Sequence, residues 1–380
     1  MRVLVVNAGS SSLKLTLLDH DDSTLAAQEL DAPRARVDPD ELRAALRSGL
    51  GEADVVGHRI VHGGERFREA IVVDADVEAQ LRELVDLAPL HQPKSLAALD
   101  AVSAALPSLP AVACFDTAFH ATLPPAASTY ALPAAWRERW GLRRYGFHGL
   151  SHGWVARRAP QMLGRDAEGL RIVSCHLGAG ASLCAIADGR SCDTTMGFTP
   201  LEGLVMATRS GSVDPGLLLW LLEREELSPQ EMNGALEHQS GLLALAGSAD
   251  MREIVERAEK GDASGEGETS REGDESDVGN RARLALEVYV HRLRAGIAAM
   301  AASLGGIDVL VFTGGVGEHS AAVREQAAAG LAFLGVELDR ARNTAADRDA
   351  EIGADGSGTS TLVITAREDL EIARQVRRCL

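Results

Sequence analysis

A serine- and glycine-rich turn near the start of the chain has the residue types of a phosphate-binding loop. It reads Asn-Ala-Gly-Ser-Ser-Ser-Leu-Lys from Asn7 to Lys14. Glycine lets backbone N–H groups approach an anion, and Ser10, Ser12 and Lys14 add hydrogen bonds and positive charge. The turn is not a Walker A loop, because a strand pattern follows it where that motif would open a helix. It therefore predicts a phosphate held against a hairpin.

A second glycine-rich turn has the same spacing as the first. Residues 7–19 and 176–188 are segments of equal length, and Gly9 and Gly178 take the same position in them. This match predicts a duplicated fold, with two hairpins of independent origin as the alternative. Residues 313–320 add a strand-Gly-Gly-x-Gly-helix pattern, so three separate loops suit one nucleotide.

Three further segments combine histidine with charged, aromatic or glycine residues: 58–65 (HRIVHGGE), 114–120 (CFDTAFH) and 145–152 (YGFHGLSH). Four of their five histidines, His58, His62, His148 and His152, have the H-x₃-H spacing that could suggest zinc. Neither pair carries the helical glutamate of a zincin, however, and the nearby glycines disfavour the helix that would align two ligands. Zinc is therefore not expected.

Two arginines and one aspartate are candidates for handling charge. Arg59 lies in a strand with apolar neighbours; it is either a surface ion pair or a guanidinium that suits a small carboxylate. The same two interpretations apply to Arg209, which lies in the segment 207–215. Asp116 directly follows the apolar strand 112–115, which is the position of a strand-end catalytic carboxylate, although an aspartate there also commonly caps a turn.

The elements that must position these residues alternate between helices and strands. Strands are predicted at residues 54–61, 111–115 and 309–312, and helices at 38–48, 77–87, 93–106, 281–304 and from Ser320. Asp38 and Pro39 are suited to begin the first helix. The alternation predicts an α/β fold.

Composition limits the class of protein. The chain has 380 residues, 46% of them apolar, and a formal net charge of −17. This length favours two domains, and the charge disfavours binding to nucleic acid or to an anionic membrane. Five cysteines without a CxxC pair suit the reducing cytoplasm. No stretch is long enough for a membrane span, and the four apolar residues 3–6 are too few for a secretion signal.

Taken in order, these segments resemble the acetate kinase family, within the superfamily of acetate and sugar kinases, heat-shock cognate proteins and actin. The resemblance runs from Val3 to Ala373, and its densest matches are VNAGSSSLK, HRIVHGGE, LAPLHQP, FDTAFH, YGFHGLSH, HLGAG, MGFTPLEGL, TRSG, SADMR, FTGGVGE and EDLEIA. It implies two actin-like, ribonuclease H-like α/β domains with a nucleotide cleft between them. We expect the first at residues 1–119 plus 369–380. The second, at 120–368, would bind nucleotide and form the dimer interface, with a disordered acidic loop near 261–278.

The resemblance also implies roles for individual residues. Asn7 and Glu368 would position Mg²⁺, with Mn²⁺ as a substitute, and Ser10, Ser12 and Lys14 would lie near the transferred phosphate. Arg59 would bind the carboxylate, Asp116 would be the active-site carboxylate, and His148 and Arg209 would stabilise the phosphoryl group in transfer. The substrate's methyl group would be walled by Val61, Leu90, Phe147 and Pro200. The nucleotide would be held by His176, Leu177, Gly178, Ala179, Gly180, Asp250, Met251, Arg252, Gly315, Val316, Gly317, Glu318 and His319.

The implied reaction is reversible, direct in-line transfer of the ATP γ-phosphoryl group to acetate, giving acetyl phosphate and ADP in a cytoplasmic homodimer. Several positions depart from the family pattern: Ala179 and His319 replace Asn in the nucleotide loops, and Gln92, Leu150 and Ser212 replace Asn, Thr and Asp. Two alternatives stay open. One is a propionate or butyrate kinase, which differs in one apolar pocket, and the other is an actin-like or chaperone ATPase without a small substrate.

Overall fold

The computed structural model describes residues 1–9, 12–31, 38–89, 91–224, 227–263 and 273–380. Its contacts divide the chain into two compact units, Met1–Trp154 with Arg367–Leu380, and Val155–Ala366. The expected boundary at residue 119 falls inside the first unit, and the expected domain limits stay a prediction. Ser10, Leu90 and residues 264–272 of the acidic segment lie outside the described residues.

The first unit contains a six-stranded sheet in the order β3-β2-β1-β4-β6-β5. Its strands are β1 Val3–Ala8, β2 Ser12–Leu18, β3 Thr24–Asp31, β4 Val55–Ile60, β5 Ile71–Val72 and β6 Ala111–Phe115. β1, β4 and β6 are parallel neighbours, whereas β2, β3 and β5 run antiparallel to their neighbours. The predicted hairpin and the strand at residues 111–115 are confirmed.

The second unit contains a sheet of the same design, in the order β11-β12-β10-β7-β8-β9. Its strands are β7 Arg171–Leu177, β8 Ala181–Ala187, β9 Arg190–Thr194, β10 Val309–Thr313, β11 Ala350–Glu351 and β12 Ser360–Val363. Read from β9, the order and directions repeat those of the first sheet, so the predicted duplication is confirmed in topology. The turns differ by one residue, since Ala8 pairs with Leu13 but Leu177 pairs with Ala181.

Fifteen α-helices are found among the described residues. They are α1 Pro39–Ala45, α2 Ala75–Glu83, α3 Gln92–Ala105, α4 Pro125–Ser128, α5 Ala134–Trp140, α6 Gly149–Leu163, α7 Pro215–Arg224, α8 Pro229–His238, α9 Gly241–Ala246, α10 Met251–Ala263, α11 Gly273–Ser303, α12 Gly314–His319, α13 Ala321–Ala329, α14 Arg340–Ala345 and α15 Glu368–Cys379. Asp38 caps α1, as predicted, by accepting from the backbone N–H groups of Asp40 and Glu41. In the part of the chain that is described, no helix has the length and apolar character needed to cross a membrane.

The helix predicted from Ser320 is confirmed, because Ser320 caps α13, but the glycine segment before it, which was expected to be a loop, forms the short helix α12. The acidic loop expected near residues 261–278 is wrong at both ends, because α10 ends at Ala263 and α11 begins at Gly273. Acidic residue types are favourable in the first turn of a helix, which an interpretation based on net charge alone leaves out.

Helix α15 lies on the first sheet at the end of the chain. Its Ile372, Ala373 and Val376 pack with apolar side chains of β1, β4 and β6 in one buried cluster. The approach is close, since a Cβ at Gly57 would lie 2.7 Å from the Ile372 Cγ2 atom. This packing fixes the first residue of α15, Glu368, near the carboxyl ends of the parallel strands.

Candidate active site

Four polar side chains meet at one edge of the first sheet. Asn7 and Arg59 lie near the carboxyl ends of β1 and β4, and Asp116 directly follows β6. Because side chains alternate along a strand, all three are on the face that α15 covers, where Glu368 opens the helix. Parallel register therefore assembles residues that are far apart in the sequence.

Arg59 is at the centre of this polar cluster. Its Nη2 donates to the Asp116 Oδ2 atom at 2.6 Å, and its Nε lies 3.1 Å from both carboxylate oxygens. Its Nη1 donates to the Asn7 Oδ1 atom at 3.1 Å, and Asn7 Nδ2 donates to Glu368 Oε2 at 3.0 Å. The arginine is therefore held by a buried carboxylate and is not the surface ion pair that was the alternative.

The electrostatics of the polar cluster favour a cation. Burial lowers the pKa of Arg59, but Asp116 and Glu368 outweigh this and raise it, so the guanidinium stays charged. Burial raises the pKa of the Asp116 carboxyl, and the Arg59 charge opposes that rise. The polar cluster thus combines one guanidinium with two carboxyl groups, so it has more acidic than basic side chains.

The donor atoms in the polar cluster suit a hard divalent ion. Asn7 Oδ1 and the Glu368 carboxylate are oxygen donors, and Mg²⁺ commonly takes one or two such protein ligands while keeping water and substrate phosphate as the others. Across the described ranges, the one group of three or more clustered His, Cys, Asp and Glu residues is Asp19, His20 and Asp21, on a surface turn. The residues present therefore fit a metal ion whose remaining ligands are water and substrate phosphate.

The four histidines have separate environments. His58 is buried, neither of its ring nitrogens has a hydrogen-bond partner among the described residues, and burial lowers its pKa to about 3. His62 accepts at Nδ1 from the Gly64 N–H at 2.8 Å, and its ring packs against Tyr145 and Phe147. His148 has a φ of 55°, and His152 is buried within α6.

The backbone at His148 is fixed by its neighbour. Gly149 donates its N–H to the Asp116 carbonyl oxygen at 2.8 Å, and a Cβ at Gly149 would lie 2.1 Å from that oxygen. A non-glycine residue with positive φ, such as His148, is uncommon and usually held by its surroundings. The structure thus places His148 directly beside the segment that carries Asp116.

Two of the expected wall residues, Val61 and Phe147, are buried in the first unit. The segment after Val61 is held by Gln92, whose amide makes two hydrogen bonds of 3.1 Å with the His62 backbone. Gln92 was noted as a departure in the sequence, but its partner was not foreseen. Pro200 belongs to the second unit, where its carbonyl oxygen lies 3.4 Å from Arg209 Nη1.

Ser12 and Lys14 contact a residue that sequence reasoning missed. Lys14 pairs with Asn7 on one side and with Glu29 on the other. Ser12 Oγ donates to Glu29 Oε1 at 2.5 Å, and Lys14 Nζ lies 4.0 Å from Glu29 Oε2. Both positions face solvent beside Asn7, so their role at a phosphate stays a prediction.

Arg209 is the second arginine held by a buried carboxylate. Its Nε lies 2.7 Å from Glu237 Oε2, and the Glu237 side chain is 5% exposed. Glu237 is on α8, whose end is tied to the arginine loop by the bond from Thr208 Oγ1 to the Glu237 carbonyl oxygen at 2.8 Å. No local motif connects Glu237 with Arg209, so the sequence did not reveal this pair.

The second unit contains a cavity of about 630 Å³, a size suited to a nucleotide. Eight of the expected nucleotide residues line it: Gly178, Ala179, Asp250, Met251, Arg252, Gly315, Val316 and His319. The other expected residues of these loops, His176, Leu177, Gly180, Gly317 and Glu318, are not in its lining. The wall is completed by Ser320, the last residue of the predicted 313–320 pattern, and by four residues that were not predicted to hold the nucleotide: Ala207, Leu242, Ala249 and Tyr289.

The two units share one α/β topology. The first contains the polar cluster around Arg59 and the second contains a nucleotide-sized cavity, and together these features define a kinase of the actin-like class. Residues 39–374 match the model of the Acetokinase family. An acetate kinase of Acetivibrio thermocellus is 40% identical over 100% of this chain and 99% of its own length, and one of Nostoc punctiforme is 42% identical over 98% of each. The chain belongs to the acetokinase family.

Solved structures agree with this assignment. The crystal structure of Porphyromonas gingivalis acetate kinase has a TM-score of 0.87 and 34% identity, covering 100% of this chain and 99% of its own. A propionate kinase from Francisella tularensis has a TM-score of 0.88 and 32% identity over the whole of both chains. The expected fold class is therefore confirmed.

Proposed function

We propose that the chain is an acetate kinase, which transfers the γ-phosphoryl group of ATP reversibly to acetate. The observation that carries this proposal is Arg59, a guanidinium held by the buried Asp116 and followed two residues later by the buried apolar residue Val61. A planar cation beside apolar side chains suits a ligand with a carboxylate and a short alkyl group. A chaperone-like ATPase without a small substrate has no use for that arrangement.

The transfer step needs positioning and charge neutralisation, and no covalent enzyme intermediate. An acetate oxygen forms a bond to the γ-phosphorus, while the bond from that phosphorus to the β,γ-bridging oxygen breaks and ADP leaves with the electron pair. Acetate is already ionised at neutral pH, so no general base is required. Asp116 then serves to orient Arg59, and Arg209 and His148 meet the charge on the group in transfer.

The metal would be Mg²⁺, with Mn²⁺ as a substitute, held through oxygen atoms of Asn7 and Glu368. Its chemistry would be to neutralise the β- and γ-phosphate oxygens of the nucleotide. Asn7 also accepts from Arg59, so the same side chain would connect the metal and the carboxylate-binding group. EDTA should therefore abolish turnover, and added Mg²⁺ should restore it.

A propionate kinase is the second candidate, because one of the similar structures is a propionate kinase. The two activities would use the same phosphate-binding groups. Their substrates differ by one methylene, which is worth roughly 1–3 kcal/mol in an apolar pocket. Comparing kcat/KM for acetate, propionate and butyrate decides between them. A preference for acetate supports the proposal, whereas a higher value for propionate would replace it.

The experiment that tests the activity itself traps the product. The chain is incubated with ATP, Mg²⁺ and acetate, and hydroxylamine converts an acyl phosphate to a hydroxamate that is measured by colour. Hydroxamate that depends on both ATP and acetate is expected. ATP hydrolysis without hydroxamate would instead favour the chaperone-like alternative.

We also infer that the protein works as a homodimer in the cytoplasm. Helix α7 supports a dimer, because none of its residues is buried and it exposes three large apolar side chains, Leu217, Leu219 and Trp220. An apolar helix face of this kind commonly marks a protein interface. The five cysteines are all free thiols, which suits a reducing compartment.

A further inference from the structure

The largest fully buried side chain in the described part of the molecule is an arginine that the mechanism does not use. Arg324, on α13, is 1% exposed. Its Nε donates to Asn343 Oδ1 at 2.7 Å and its Nη2 to the Asn343 carbonyl oxygen at 2.6 Å. Its Nη1 donates to the carbonyl oxygens of Gly317 and Glu318 at 2.9 and 2.7 Å. All three guanidinium nitrogens are thus engaged by neutral acceptors.

This arginine has no carboxylate within ion-pair distance among the described residues. Burial lowers the pKa of Arg324 to about 10, so it stays charged at neutral pH. Placing a charge in the interior without a counter-ion is unfavourable, and an apolar residue of similar volume would commonly serve stability better. The arginine is therefore better explained by the backbone groups that its planar fork holds.

Those backbone groups are carbonyl oxygens in the last turn of α12, the helix that forms one wall of the nucleotide cavity. Gly315, Val316 and His319 of α12 line the cavity, and the last carbonyl groups of a helix have no partner within it. Arg324 supplies donors to two of these carbonyls. Asn343 in turn is completely buried on α14 and donates from Nδ2 to the Ala321 carbonyl oxygen at 3.0 Å. The two side chains therefore join α12, α13 and α14.

The other end of α12 is held as well. Glu318 Oε1 accepts from the Gly314 N–H and from the Ala366 N–H, both at 3.0 Å. Gly314 has a φ of +77°, and a Cβ there would lie 2.8 Å from the Leu177 carbonyl oxygen. A six-residue helix rich in glycine has little stability of its own. The position of this wall depends on side chains that lie outside the cavity lining.

We propose that Arg324, with Asn343, is a positioning group for the nucleotide: its guanidinium fork fixes α12, and so the distance between the α12 wall and the glycine turn at Gly178 across the cavity. This inference rests on one part of the proposed function, namely that a nucleotide binds in the cavity. It assigns a role in nucleotide binding to two residues that line no part of the cavity.

Arg324→Lys is the primary test, because lysine keeps the charge but cannot reach four acceptors with a planar fork. Isothermal titration with ADP measures binding without turnover. Loss of a supporting group behind a binding wall should raise the ADP Kd roughly 10-fold or more. The KM for acetate should change less than twofold, because the carboxylate site is in the first unit.

Arg171→Lys is the matched control in the same unit. Arg171 also makes several hydrogen bonds, to Asp308 and to the Gly305 carbonyl oxygen, but at the other end of β7 and β10 from the cavity. Arg171→Lys should lower the melting temperature less than Arg324→Lys, because the Arg171 side chain is 38% exposed, and it should leave the ADP Kd unchanged. Asn343→Ser, which removes the acceptor of the Arg324 Nε bond, repeats the test if the lysine variant does not fold.

The outcomes separate this inference from the proposed function. A raised ADP Kd in the Arg324 or Asn343 variant, with a normal Kd in the Arg171 variant, supports the positioning role. An unchanged Kd, or equal rises in the Arg324 and Arg171 variants, overturns it in favour of general stabilisation. If wild-type protein bound ADP but made no acyl phosphate, the proposed function would fail while this inference stood. If wild-type protein bound no ADP, both would fail.

Discussion

At the scale of residues, the two candidate catalytic arginines are held in the same way. Arg59 and Arg209 each direct Nε toward a buried carboxylate, Asp116 in one unit and Glu237 in the other. A guanidinium that is oriented before substrate arrives loses less rotational freedom on binding. The carboxylates therefore act through the arginines, and neither needs to accept a proton.

Glu237→Gln tests this arrangement with little change in volume. The substitution removes the charge that holds Arg209, so kcat should fall by roughly 10-fold, less than the 10²–10³ expected when a transition-state donor is removed outright. The KM for acetate should change little, because Arg209 is proposed to meet charge that is greatest during transfer. Steady-state kinetics check both values.

Glu78→Gln is the control for Glu237→Gln. Glu78 pairs with Arg82 on the surface of the first unit, where an ion pair contributes little. Wild-type kinetics are expected there. If Glu237→Gln also had normal kcat, Glu237 would be an ordinary structural partner of Arg209.

At the scale of elements, strands were easier to predict than glycine-rich helices. The strand at residues 111–115 has the predicted bounds, because a short apolar run between turn residues is a local signal. The sequence predicts a loop where α12 forms, since three of the six residues are glycine, and each glycine disfavours a helix by about 1 kcal/mol. Its supports are on the following helices, Arg324 on α13 and Asn343 on α14, so the pattern of the glycine segment itself does not contain them.

The same limit applies to the site. The residue types at Arg59 and Asp116 indicate charge handling, the family resemblance implies a role for Asn7, and the parallel strands bring the three residues together. Glu237 and Glu29 were not foreseen, because each acts through a tertiary contact and carries no motif of its own. Residues with local motifs could be predicted from sequence, and their supporting partners could not.

Gly149→Ala tests how closely α6 approaches the Asp116 segment. A Cβ would lie 2.1 Å from the Asp116 carbonyl oxygen, so the backbone must shift, at a cost of about 1–3 kcal/mol typical of overpacking. Both the melting temperature and kcat should fall, because the shift displaces Asp116 and His148. Thermal unfolding and kinetics measure the two effects.

Gly234→Ala is the control for Gly149→Ala. Gly234 is inside α8 with no atom within 4 Å of a Cβ and no positive φ. Alanine should therefore be neutral or stabilise by about 0.4–1 kcal/mol. A wild-type melting temperature for Gly149→Ala would show that the segment moves more freely than its contacts indicate.

At the scale of the whole molecule, stability should depend on pH through buried histidines. Burial lowers the pKa values of His58, His62 and His120 from 6.5 to about 3, 4 and 4. Between about pH 6.5 and 4 the unfolded chain therefore binds protons that the folded chain does not, and the free energy of unfolding falls as pH falls. Above pH 7 these histidines contribute no slope.

His58→Leu should reduce this dependence, since His58 has no hydrogen-bond partner to lose among the described residues. Urea unfolding at pH 7.5, 6.0 and 5.0 gives the slope for each protein. The variant should lose less stability than wild type between pH 6.0 and 5.0. Identical slopes would mean that His58 takes up a proton in the folded state.

The proposed dimer gives a further prediction. Trp220 on α7 is 52% exposed, and Trp220→Glu should shift the protein toward monomer by placing a charge in an apolar interface. Light scattering coupled to size exclusion measures the mass. Trp136→Glu, at a tryptophan 57% exposed on α5, should leave the mass unchanged. A wild-type mass for both variants would exclude α7 as the interface.

The central claim is that Arg59 directs phosphoryl transfer to a carboxylate. Its most direct test is the rate of hydroxamate formation by wild type, Arg59→Ala and Arg59→Lys over a range of acetate concentrations, at saturating ATP and Mg²⁺. We expect Arg59→Ala to raise the KM for acetate with some loss of kcat, and lysine to rescue it incompletely, because it lacks the fork that reaches Asp116 and Asn7 together. Normal kcat and KM in Arg59→Ala would contradict the account.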